Sequence, residues 1–115
     1  MSASVTLQKT VSISATGPQD PDFVVDAGAY RYVAARLKVE GVSGTGTVIV
    51  GLEHAAINDD QEFANLTTFD TVTDGSSFPT IDIKTSETFA RYLRWNATTM
   101  SATAAKINIE LVLKN

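Results

Sequence analysis

The sequence has no cysteine and only one histidine among its 115 residues. Disulfides and thiolate metal sites are therefore excluded, and no pair of histidines exists to share a metal or acid–base work. Charge is also scarce: 19% of residues are Asp, Glu, Lys or Arg, whereas exposed helical faces are usually rich in Glu and Lys. There is no basic cluster, and the net charge of -4 disfavours non-specific contact with nucleic acid or anionic lipid. No apolar run approaches the about 18 residues of a membrane span. The opening Met1-Ser2-Ala3-Ser4 lacks the basic segment and apolar stretch of a secretory signal. The chain reads as soluble and made in the cytoplasm.

What is present points to strands. Apolar residues make up 43% of the chain, too many for a disordered protein. The length suits one domain, able to bury roughly two thirds of its unfolded surface. Thr, Val, Ser and Ala dominate, and β-branched side chains suit a pleated, half-buried surface.

Alternation of period two recurs from end to end. Residues 4–15 carry Val5, Leu7, Val11 and Ile13 at odd positions, and the Pro/Gly-rich stretch 17–22 breaks the run. Residues 23–25 form a short second strand. Residues 30–40 set Val33, Ala35, Leu37 and Val39 on one face and Tyr32, Ala34, Arg36, Lys38 and Glu40 on the other. Residues 41–46 are a glycine-rich hairpin loop. Residues 47–54 return with Val48, Val50 and Leu52 inward. Strands follow at 63–72, anchored by Phe63, Leu66, Phe69 and Val72, and at 78–84. In the strand at 89–98, Phe89, Leu93, Trp95 and Ala97 share a face, and the last strand carries Ile107, Ile109, Leu111 and Leu113. About eight short strands with frequent turns predict an all-β, antiparallel β-sandwich or jelly roll spanning residues 1–115. Arg31-Tyr32-Val33 and Arg91-Tyr92-Leu93 each open a strand, as if two hairpins held equivalent places in facing sheets.

Chemistry finds little purchase. Glu53, Asp59, Asp60 and Glu62 lie near His54, but their spacing lacks the alternating ligands and glycine of a calcium loop. We read a solvated turn and assign no metal. No Ser or Thr sits in a nucleophile elbow, and the Asp residues fall mostly in turns, so no catalytic residue and no cofactor is assigned. Residues 41–46 carry no lysine and precede a strand, unlike a phosphate cradle. The best-supported group is aromatic and cationic: Tyr30, Tyr32, Arg36, Tyr92 and Arg94, with Arg31 and Arg91 nearby, are residue types favoured at interfaces. Trp95 is read as core; exposed, it could stack on sugar rings, as a carbohydrate-binding module requires.

Two stretches carry a resemblance. Val48-Ile49-Val50-Gly51-Leu52-Glu53-His54-Ala55, a polar turn and Phe63-Ala64-Asn65-Leu66-Thr67-Thr68-Phe69 come first; Phe89-Ala90-Arg91-Tyr92-Leu93-Arg94-Trp95 and a final alternating strand come second. Together, over roughly residues 30–114, they resemble small bacteriophage structural proteins. The sequence departs from that pattern at Ala55-Ala56-Ile57-Asn58, where a Ser-Asp-Asp-Gly-like turn is usual. The resemblance implies a virion protein that decorates or cements a capsid, with a tail or head–tail adaptor component as the alternative. It also implies a homo-oligomer, a trimer among the candidates, bound to a capsid or tail protein without nucleic acid or membrane. Residues 1–22 are expected to serve as an N-terminal arm that pairs with a neighbour's sheet edge.

Overall fold

The alternating segments become ten strands in chain order: β1 (Ser2–Ile13), β2 (Gly17–Pro18), β3 (Val25–Asp26), β4 (Tyr32–Ser43), β5 (Thr47–Ala55), β6 (Ala64–Thr68), β7 (Val72–Thr73), β8 (Thr80–Ser86), β9 (Tyr92–Met100) and β10 (Ala104–Lys114). The computed structural model describes residues 2–73 and 79–115; Phe78, expected to open a strand, and residues 74–77 of the turn before it lie outside them. One sheet has the order β1-β10-β4-β8, here sheet A. Sheet B has the order β2-β9-β5-β6, with β3 also on β9 and β7 also on β5. Every pairing is antiparallel.

Counting β2 with β3 and β6 with β7 as interrupted strands leaves eight, and all links but that from β5 to β6 change sheets. That wrapping is a jelly roll. It corrects the hairpin expected around residues 41–46: β4 and β5 never pair, because the turn carries the chain over the edge from one sheet to the other. The turn after β9 does the same beside it. Ser101 N donates to Thr47 O at 3.0 Å, and Thr103 N donates to Ser43 O at 2.8 Å.

The core lies where the alternation places it. Val33, Ala35, Leu37 and Val39 of β4 interleave with Ile107, Ile109, Leu111 and Leu113 of β10 on sheet A's inner face. Val48, Val50, Leu52, Leu93, Trp95 and Ala97 oppose them from sheet B. Each such Val, Leu or Ile contributes about 1.5–3 kcal/mol by leaving water.

Two other expectations give way in part. The short strand expected over residues 23–25 survives only at Val25, which opens β3; Phe23 closes a 3₁₀ turn over 21–23, where Pro21 opens the turn and the Asp20 carboxylate accepts from Asp22 N. The run 63–72 splits into β6 and β7; its spacing of three is not a strand period, and the break lets Phe69 and Val72 both reach the core. Residues 2–13 belong to this molecule's own sheet A as β1, with Leu7 buried and pairing along β10 interrupted by two register shifts. A free arm would strip that cover from the core. Gln19, 1% exposed, fastens the crossing from β1 to sheet B. Its Nε2 donates to Leu7 O at 2.8 Å and Phe23 O at 3.0 Å, and its Oε1 accepts from Trp95 N at 3.2 Å.

Candidate interaction surface

In a strand, alternate side chains must face opposite ways, so each sheet of the sandwich has an outer face that the core does not claim. On sheet A the register sets Val112 beside Ala34 and Ala34 beside Thr85. The next rows are Glu110, Arg36 and Ile83, then Asn108, Lys38 and Ile81. Ile81 is 51% exposed, Ile83 59% and Val112 37%. With Ala34 they form a diagonal apolar strip on an otherwise polar face. Among the described residues, β8 has a strand neighbour only on its β4 side.

The edge strand β8 is inverted relative to its neighbours: its isoleucines face out, while Asp82 and Lys84 face in, opposite Leu37 and Ala35. The inward positions lie at the open rim of the sandwich, where charge can still be satisfied. Lys84 Nζ lies 2.9 Å from Asp70 Oδ1 and 3.6 Å from Asp82 Oδ2. Asp70 N donates to Asp82 Oδ2 at 2.8 Å, tying the loop between β6 and β7 to sheet A. The hydrogen bond to Asp70 raises the Lys84 pKa above its ordinary value, against a smaller desolvation effect.

The residues read from the sequence as an interface do not form one surface. Tyr32 and Arg36 lie on the outer face of sheet A, in the same strand-facing series as Lys38. Lys114 Nζ sits over the Tyr32 ring, 5.8 Å from its centre. Tyr30 packs half-buried against the core at the sandwich end. Tyr92 and Arg94 belong to the outer face of sheet B, opposite Ala55 and Glu53.

Arg94 is not a free surface cation. It is 7% exposed, with Nε donating to Glu53 Oε1 at 2.8 Å and Nη1 to Asp60 Oδ1 at 2.6 Å. Its guanidinium lies over the Phe63 ring at 4.1 Å, and Asn96 Nδ2 donates to Glu53 Oε2 at 3.0 Å. Burial opposes its charge, but the bonds to Asp60 and Glu53 outweigh this and raise its pKa. The cluster clamps the loop after β5 onto sheet B, and alternation alone, which marked Arg94 as outward, cannot foresee a loop folding over it.

The remaining sequence candidates are likewise engaged within the chain. Trp95 is buried, its Nε1 donating to Gln8 Oε1 at 3.0 Å across the two sheets, so it offers no platform for a sugar. His54 is half-buried, and its Nδ1 accepts from Ala90 N at 2.9 Å. Among the described residues no group of three or more His, Asp or Glu is placed to hold a metal ion. Arg91 forms a bidentate pair with Asp26 at 3.0 and 2.8 Å on the exposed rim. Ile81 and Ile83 carry a signal in the alternation of Thr80-Ile81-Asp82-Ile83-Lys84, but alternation does not say which of two faces is covered.

No protein-family model matches this sequence, and no curated protein matches it. Among solved structures the chain is similar to one from the Bacillus endospore appendages, described as a novel family of disulfide-linked pili. That match has 13% identity and a TM-score of 0.47, covering 100% of this chain and 90% of the other. A likeness of that extent leaves the class to be drawn from the topology above. The class is an antiparallel β-sandwich with jelly-roll wrapping.

Proposed function

We propose that this chain is a structural subunit that works by associating with copies of itself, on the surface of a phage particle where it decorates or cements the capsid. The observation that supports self-association is the outer-face strip that runs from Val112 of β10 past Ala34 of β4 to the exposed Ile81 and Ile83 of the edge strand β8, whose charges are paired on the other face. Exposed isoleucines in register on one face carry an unfavourable hydration free energy that contact with a partner relieves. The virion setting comes from the sequence resemblance over residues 30–114. In a symmetric shell one modest interface per copy suffices, because many copies act together.

Sedimentation velocity of the full chain over a wide concentration range tests the first part. Concentration-dependent oligomers are expected, and a strict monomer up to millimolar concentration contradicts the proposal. The genomic setting tests the second: a major capsid or portal gene is expected beside this one, and a setting without any virion gene counts against the phage reading.

A further inference from the structure

An unpaired strand edge offers a row of backbone donors and acceptors to another strand, and proteins commonly blunt such edges with inward-pointing charges. The edge of β8 carries two such charges, Asp82 and Lys84, of opposite sign and two residues apart. Their spacing makes the edge selective instead of closed. A second strand laid antiparallel against β8 must oppose inward residues to inward and outward to outward, so self-pairing registers advance in steps of two.

Few registers about a twofold axis are open. Centred on Asp82, the pairing sets two Asp82 side chains face to face; centred on Lys84, it does the same with two lysines. Like charges directly opposite destabilise a strand pair. Centred on Ile81, it sets Ile83 against Pro79, which has no backbone N–H to donate. Centred on Ile83, each Asp82 meets the other copy's Lys84, the two Ile83 side chains meet at the axis, and each Ile81 lies opposite the other copy's Thr85. Of these four, it alone sets opposite charges against each other.

We propose that β8 is a self-association edge, through which two copies pair antiparallel about a twofold axis at Ile83 and join their A sheets into one continuous sheet. The assignment rests on the self-assembly reading above and specifies its surface, symmetry and register. The interface is isologous, so it closes on itself as a dimer and leaves the β1 edges at the two outer ends.

The register is readable by cross-linking, because the chain has no cysteine of its own. In an antiparallel pair, residues directly opposite have Cα atoms about 4.5–5.5 Å apart, within disulfide reach. Ile83→Cys is therefore expected to form an intermolecular disulfide under mild oxidation. Ile81→Cys is not, since the two copies of that position are four residues out of register, roughly 13 Å apart. Sedimentation equilibrium of the full chain gives the second readout, with circular dichroism reporting the fold of each variant. Ile83→Glu and Lys84→Asp are expected to weaken dimerisation at least about tenfold, and the double swap Asp82→Lys/Lys84→Asp to recover it.

If oligomers persist through Ile83→Glu and Ile83→Cys does not cross-link, copies meet elsewhere, and this interface is wrong while self-assembly stands. A wild-type chain that is monomeric throughout overturns both. Should Ile83→Glu fail to fold, the contrast between the two cysteine variants decides the register.

Discussion

Gln19 shows how much one polar side chain can carry in a sandwich without disulfides. It satisfies two carbonyls and one amide where the chain leaves sheet A for sheet B. Gln19→Leu keeps the volume but leaves those buried groups without their partner, and is expected to cost roughly 2–4 kcal/mol in urea unfolding. Asp26 shows the opposite case, a group at the surface. The hydrogen bonds from Arg91, and then from Gly28 N, hold its carboxyl below the ordinary 3.8. A folded-state pKa below the unfolded one adds stability that is complete above the unfolded value and lost as pH falls through the folded one. Asp26→Asn should therefore be slightly less stable than wild type at pH 7, with the gap closing below about pH 4. A gap between their urea midpoints that widens on acidification would refute this sign.

At the scale of elements, the crossing from β4 to β5 and the register shift just before it depend on backbone that most residues avoid. Gly46 has φ +143°, and a Cβ there would meet the Ser101 main chain at 2.5 Å. Gly41 has φ +62° at the register shift between β4 and β10, where a Cβ would meet only the flexible stem of Lys106 at 3.8 Å. Gly46→Ala is thus expected to lower stability by about 1–3 kcal/mol, and Gly41→Ala by about 1 kcal/mol or less. Thermal melts of the two variants give the comparison, and equal losses would show that the Ser101 contact does not matter. Strand β8 belongs at this scale too. Its alternation is as regular as that of β4, yet the apolar series of one faces out and that of the other faces in.

For the molecule as a whole, the first strand pairs with the last. β1 and β10 lie side by side, so the chain must close nearly its full length before sheet A is complete. Such non-local pairing predicts refolding on the millisecond-to-second scale, measurable by stopped-flow tryptophan fluorescence of Trp95. Microsecond refolding would mean that local structure dominates. Deleting residues 2–13 should abolish cooperative melting, since the deletion bares one side of β10 and removes Leu7 from the core. A deletion variant that melts like the full chain would restore the N-terminal arm as a dispensable appendage.

Much of this architecture was legible without coordinates, because period-two alternation is dictated by strand geometry and needs no partner to be seen. The inner faces of β4, β5, β9 and β10 follow directly from it. The echo of Arg31-Tyr32-Val33 in Arg91-Tyr92-Leu93 leads into β4 and β9, which lie in opposite sheets, but the hairpins read from it do not form, since β4–β5 and β9–β10 each cross between sheets. Alternation separates two faces but does not name the buried one, and it cannot say which strands adjoin. Tertiary structure decided those points: that 41–46 crosses between sheets, that a loop folds over Arg94, and that β8 turns Ile81 and Ile83 to the outside. Each depends on contacts between residues far apart in the chain, where the nearest covering surface, and not the local pattern, determines what is hidden from water.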